Sequence, residues 1–153
     1  MPVLLIRHGH AGSRKDWSGK DRERPLSEKG RRQAANLVGE LSGWGVQRIL
    51  SSPYTRCVQT VEPLAKELGL KVEVTQGLSE DHGNEALALA RSLSSEKVAL
   101  CTHGDVIADV LVPIVDEDRV DLGSRPRQQK GSVWVLEADG SKFARATYVP
   151  PRD

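Results

Sequence analysis

Arg7, His8 and Gly9 follow directly on Val3-Leu4-Leu5-Ile6, so a cation, an imidazole and a glycine stand where an apolar run stops. A short continuous run of Leu and β-branched residues reads as a strand buried on both faces. In open α/β sheets, ligands bind at the carboxyl ends of strands. A nucleophilic imidazole beside a guanidinium at such an end suits chemistry on an anion, above all a phosphoryl group.

The arrangement returns twice. Arg48-Ile49-Leu50 runs into Ser51-Ser52-Pro53, with Arg56 shortly after, and Val98-Ala99-Leu100-Cys101-Thr102 runs into His103-Gly104-Asp105. Each apolar run delivers a cationic or imidazole residue to the turn that follows it.

The elements that must position these residues are legible from periodicity. Residues 9–25 are polar, contain glycine and lack a period, so they form a long loop of the kind that is often functional. Ser27 is the expected N-cap of a helix that carries Ala34, Leu37, Val38 and Leu41 on one face and ends at Gly43 or Gly45. Pro53 suits the first turn of a second helix bearing Val58, Val61, Leu64, Ala65 and Leu68, with a kink or a split expected at Pro63. Lys71 to Thr75 alternates as a strand does, and Leu78 to Gly83 reads as a polar loop. Asn84 is the expected cap of a helix with Ala86, Leu87, Leu89, Ala90 and Leu93 inward. After the strand at Val98–Thr102, a helix with Val106, Ile107, Val110 and Leu111 inward should close at Pro113. Residues 115–131 read as an irregular charged loop, and Ser132–Glu137 and Phe143–Val149 as a hairpin turning through 138–141. Strands alternating with helices imply an α/β fold, a three-layer αβα sandwich with a mostly parallel central sheet and an antiparallel edge.

A chain of 153 residues is the size of one domain, taken as 1–153, and needs no staples to bury a core. Its 22 Lys and Arg against 21 Asp and Glu give a net charge of +1, which argues against a bulk nucleic-acid binder. Residues 7–32 depart from that balance, with nine Lys or Arg against four Asp or Glu. A solvated helix face is the plain explanation; a funnel for an acidic substrate is the other. Cys57 and Cys101 make a poor disulfide framework, so reduced thiols and a cytoplasmic location are expected. The opening residues carry no charged stretch, and the apolar run stops at Arg7, so neither a signal nor a membrane segment is expected. Size alone suggests a monomer, and the Pro-Pro-Arg-Asp tail reads as loose.

Taken together, Arg-His-Gly at 7–9, Ser-Ser-Pro-Tyr-Thr-Arg at 51–56 and Thr-His-Gly at 102–104 resemble the histidine phosphatase superfamily, also called phosphoglycerate-mutase-like. Leu26 to Ala34 resembles that family's helix start, and Gln59-Thr60 the continuation after its second arginine. The match runs in order from residue 3 to about 111 and is most similar to the short bacterial phosphohistidine phosphatases. The resemblance implies a two-step, metal-free reaction without a cofactor. His8 attacks phosphorus, and water hydrolyses the resulting phosphohistidine. Arg7, Arg56 and His103 hold the phosphate oxygens. Glu80, after the third strand, matches the family's general acid, with Asp81 in reserve. The expected substrate is a phosphomonoester or a phosphohistidine, carried on a small molecule or a protein.

Physical chemistry agrees with that outline. Phosphoryl transfer asks mainly for positioning and for positive charge on the non-bridging oxygens. Arginine forks match that geometry, and their charge should hold His8 unprotonated. Other readings stay open. His8 and His10 could form a metal pair, although no further ligand cluster stands at suitable spacing. The domain could bind phosphate as a regulatory module with little turnover, or act on nucleotides within the same family. A mutase fits less well, because the chain is short for the insertions that hold a bisphosphorylated sugar acid. His10 and His82 read as loop residues, Ser51, Ser52 and Thr102 as turn hydroxyls, and Trp17, Trp44 and Trp134 as packing or surface residues. The thiols read as packing groups. Arg125, Arg127 and Lys130 read as a solvated loop, with substrate gating as the alternative.

Overall fold

The strands are β1 (Pro2–Arg7), β2 (Arg48–Ser51), β3 (Val72–Val74), β4 (Val98–Thr102), β5 (Val133–Asp139) and β6 (Lys142–Val149). The helices are α1 (Glu28–Leu41), α2 (Thr55–Leu68), α3 (Gly83–Ser92) and α4 (Gly104–Asp116). A computed structural model describes residues 2–123 and 127–153, and in it the strands form one sheet in the order β3-β2-β4-β1-β5-β6. The first four in that order run parallel, and β5 and β6 complete the sheet antiparallel.

The apolar runs are strands because both of their faces are covered. Val3, Leu5, Val98 and Leu100 pack in one core with Val106, Ile107 and Ala90, from α4 and α3. Leu4, Ile6, Ala99 and Cys101 pack in the other with Leu37, Val61 and Leu64, from α1 and α2. Successive strand residues point to opposite faces, so each run fills both cores. The αβα sandwich with an antiparallel edge follows directly from this.

Register explains how the three turns meet. Arg7 is paired with Thr102 and Ser51 with Cys101, so β1, β4 and β2 end level with one another. Neighbouring strands lie about 4.8 Å apart, which brings the three following turns onto one edge.

Several local expectations differ from the structure. Pro63 neither splits nor ends α2, and Pro113 lies inside α4, which continues to Asp116. Each proline removes one intrahelical bond, and burial of Val61, Leu64 and Ala65, or of Val110, Leu111 and Ile114, outweighs that loss. Pro53 lies before α2, whose N-cap position is Tyr54, and Asn84 sits within the first turn of α3, with His82 in the N-cap position and no side-chain cap. The hairpin turn is tighter than expected: only Gly140 and Ser141 separate β5 from β6, with Gly140 at φ +66°. The C-terminal tail is docked rather than loose. Asn36 donates to the Arg152 carbonyl, and Lys29 pairs with Asp153.

Candidate active site

Arg7 ends β1, and His8 is the first residue beyond it. His8 Nδ1 lies 2.8 Å from the Gly9 carbonyl. A carbonyl only accepts, so Nδ1 carries the proton and Nε2 keeps its lone pair. The Gly9 amide donates to Thr60 Oγ1 on α2, which holds the turn from behind. The His8 ring is nearly buried, and its pKa falls to about 3. Burial is the main cause, and Arg56, His103 and Arg7 add to it against the opposing Gly9 hydrogen bond. The arginine charges expected to hold His8 neutral therefore come second to desolvation.

His103 sits between β4 and α4 with its ring 5.5 Å from that of His8, edge to face. Its Nε2 lies 2.8 Å from Ser52 Oγ, which also accepts from the Tyr54 amide. With the hydroxyl proton given to Nε2, Nδ1 carries the ring proton and faces Glu80 Oε1 at 3.5 Å. Ser52 is more than a turn hydroxyl: it orients an imidazole. Thr102 Oγ1 donates to the Leu78 carbonyl and ties β4 to the segment leading to Glu80.

Arg56, on the first turn of α2, is 2 % exposed. It donates to Asp21 and to Glu80 Oε1 (2.8 Å), and its guanidinium lies 4.9 Å from the centre of the Tyr54 ring. Arg7 donates through Nη1 to the Gln128 carbonyl, with its guanidinium packed beside Gly104. Among the described residues, Arg7 Nε, Arg56 Nε and His103 Nδ1 are buried without an acceptor. Buried donors seldom stay unpaired.

A pocket of about 540 Å³ brings Arg7, His8, Arg56, Glu80 and His103 together. Asp81 also lines it but is exposed, at φ +66°, with its amide donating to Asp105. Arg14 and Arg24 line the same pocket and were missed as site residues, and Lys130, expected in a solvated loop with substrate gating as the alternative, lines it too. Arg24 clamps the carbonyls of Ala11 and Gly12 and pairs with Asp21, which in turn braces Arg56. The basic excess over residues 7–32 was the available signal, and part of it faces the pocket rather than solvent.

Other candidates lie elsewhere. His10 bonds to Ser27, and His82 pairs with Glu85. Ser27 caps α1 as expected, accepting from the Gly30 amide. Both thiols are buried, and Cys57 Sγ is 3.6 Å from His103 Nε2. Trp134 is buried and donates to the Arg127 carbonyl. Arg125 lies outside the described residues. Among the described residues, no group of three or more His, Cys, Asp or Glu is placed to hold a metal, and no helix is long and apolar enough to cross a membrane.

The fold and this edge define a class: an αβα domain with a basic pocket over a buried imidazole. Residues 3–86 match the family model for the histidine phosphatase superfamily (branch 1), and the chain belongs to that family. An 8-oxo-(d)GTP phosphatase of Mycolicibacterium smegmatis is 34% identical over 164 residues, covering 99% of this chain and 48% of that protein. The chain thus spans about half the length of that relative. Among solved structures, the protein histidine phosphatase SixA complexed with tungstate aligns with a TM-score of 0.77 at 21% identity, over 99% of this chain and 96% of that one. A mycobacterial glucosyl-3-phosphoglycerate phosphatase complexed with VO3 aligns with a TM-score of 0.72 at 18% identity, over 96% of each chain. At such identities the likeness concerns the fold.

Proposed function

We propose that the chain is a phosphatase that hydrolyses a phosphomonoester or a phosphohistidine, with His8 as nucleophile and no metal in the reaction. The observation that carries this reading is the meeting of the His8 lone pair with unpaired buried donors from Arg7, Arg56 and His103 in one pocket. A phosphoryl oxygen supplies the acceptors those donors lack.

In the first step His8 Nε2 forms a bond to phosphorus as the bond to the leaving group breaks. Arg7 and Arg56 neutralise the charge on the non-bridging oxygens, and His103 donates a further hydrogen bond to them. Glu80 gives its proton to an alkoxide leaving group; its place beside Arg56 and His103 favours it over the exposed Asp81. In the second step water, losing its proton to Glu80, attacks phosphorus and breaks the P–N bond. Orthophosphate leaves, and His8 is restored.

A nucleotide substrate is a second reading, favoured by the Mycolicibacterium smegmatis relative. The cytoplasmic location and monomeric state expected from cysteine content and size belong to this proposal as well.

Turnover of p-nitrophenyl phosphate with and without EDTA is the test, together with acid-labile labelling of His8→Ala by a phosphorylated substrate. EDTA-resistant turnover and loss of the label are expected. Tight phosphate binding without turnover would instead establish a binding module, EDTA sensitivity a metal enzyme, and label surviving on His8→Ala another nucleophile.

A further inference from the structure

The proposed mechanism uses none of Arg14, Arg24 and Lys130 in the pocket, and of these Arg14 and Arg24 are paired with Asp21. The Lys130 backbone is fixed against the nucleophile's own segment. The Gly131 amide donates to the carbonyls of Arg7 and His8 at 3.1 and 3.0 Å, and Gln33 Nε2 donates to the Lys130 carbonyl at 3.2 Å. Gly131 holds φ +83°, and a Cβ there would meet the Gln33 side chain at 3.0 Å, so this turn is built to keep Lys130 in place.

The surroundings of Lys130 are cationic. Partial burial lowers its pKa, and Arg7, Arg24 and Arg56 lower it further. Of the carboxylates around it, Asp21 is paired with Arg14, Arg24 and Arg56, Glu80 with Arg56 and Asp153 with Lys29, while Asp105 accepts from the Asp81 amide across the pocket. Among the described residues, none of these carboxylates forms an ion pair with Lys130. An ammonium held among guanidiniums without an anion costs stability, and a substrate bearing more than one negative group offsets that cost.

We propose that Lys130 binds a second phosphate adjacent to the one transferred, so that the preferred substrates carry a terminal phosphoryl group in phosphoanhydride linkage. This rests on the phosphatase reading and deepens it. Lys130 emerges beside Arg7 and His8, so the flexible stem of its ammonium reaches groups next to the attacked phosphorus rather than a remote part of the substrate. His8 Nε2 bonds to the terminal phosphorus, the bridging P–O bond breaks, and the remaining phosphate departs with the bond's electron pair while paired with Lys130. Water then releases orthophosphate from His8 as before.

Equilibrium binding and kinetics test the assignment together. In a His8→Ala background, which holds ligand without turnover, Lys130→Met should weaken inorganic pyrophosphate at least about tenfold more than orthophosphate, the size of one lost charge-assisted contact. In the otherwise native chain the same substitution should lower the ratio of kcat/KM for pyrophosphate to that for p-nitrophenyl phosphate by a similar factor, and Lys130→Arg should restore most of it. Equal weakening of both ligands, or of neither, overturns the subsite. Absence of turnover in the native chain would count against the phosphatase reading, yet the binding ratio would still decide the role of Lys130.

Discussion

Arg56 Nη2 donates to Glu80 Oε1 at 2.8 Å, so the carboxylate after β3 rests on the guanidinium after β2. Arg56 is almost fully buried and Glu80 is about a quarter exposed, which lets the carboxylate shift while the arginine stays fixed. In the proposed mechanism, a phosphoryl oxygen bound at Arg56 would compete for the same N–H and free Glu80 to face the leaving group.

Glu80→Gln keeps the size of the side chain and removes the transferable proton. An alkoxide needs that proton, whereas an imidazole leaves readily without it. Hydrolysis of an alkyl phosphate should fall by about 10²–10⁴-fold, and that of a phosphoramidate far less. Steady-state rates on both substrates check this, and equal losses would contradict the role of Glu80.

The pKa of His8 sets a pH dependence of stability. Between the ordinary value of 6.5 and about 3, the unfolded chain binds a proton at this position that the folded chain does not. Stability therefore rises with pH across that window and falls on acidification, by up to about 1.4 kcal/mol per pH unit from this group. Urea denaturation at pH 7 and pH 4.5 should show His8→Asn losing about 2–3 kcal/mol less than the native chain over that interval. The same loss in both would mean that His8 is not kept neutral by its burial.

A Cβ at Gly104 would stand 2.9 Å from Arg7 Cζ, so Gly104→Ala displaces the guanidinium. The cost falls on ligand binding more than on the fold, because the displaced atoms end a flexible side chain. Inhibition by orthophosphate should weaken by about tenfold, as expected for one disturbed charge-assisted contact, with the melting temperature little changed. An unaltered inhibition constant would argue that Arg7 does not touch phosphate.

Gly30 behaves differently, since its added methyl would collide with the His10 carbonyl, which is backbone. That contact seats α1 on the turn following His8, and Gly30→Ala should cost about 2–3 kcal/mol by overpacking. Chemical denaturation measures it; a native-like midpoint would show that α1 can slide without cost.

Much of this could be read from residue order. Continuous apolar runs without alternation announced strands covered on both faces, and the polar switch after each announced the site. Boundaries were less legible wherever packing overrides local preference. Pro63 and Pro113 remain inside helices because a buried face outweighs one lost bond. The tail, unremarkable as Pro-Pro-Arg-Asp, gains order only from α1, whose Asn36 and Lys29 bind it.

By itself the amino-acid order determined which side chains exist for the chemistry and which turns carry them, since strand length and apolar character depend on local pattern. Tertiary structure decided the rest. Only the insertion of β4 between β1 and β2 sets His103 beside His8 and Ser52. Only the return of residues 14–24 and of Lys130 over that edge surrounds the imidazole with further positive charge. Strand order and loop return are set by long-range burial and pairing, and no short window of sequence contains those partners.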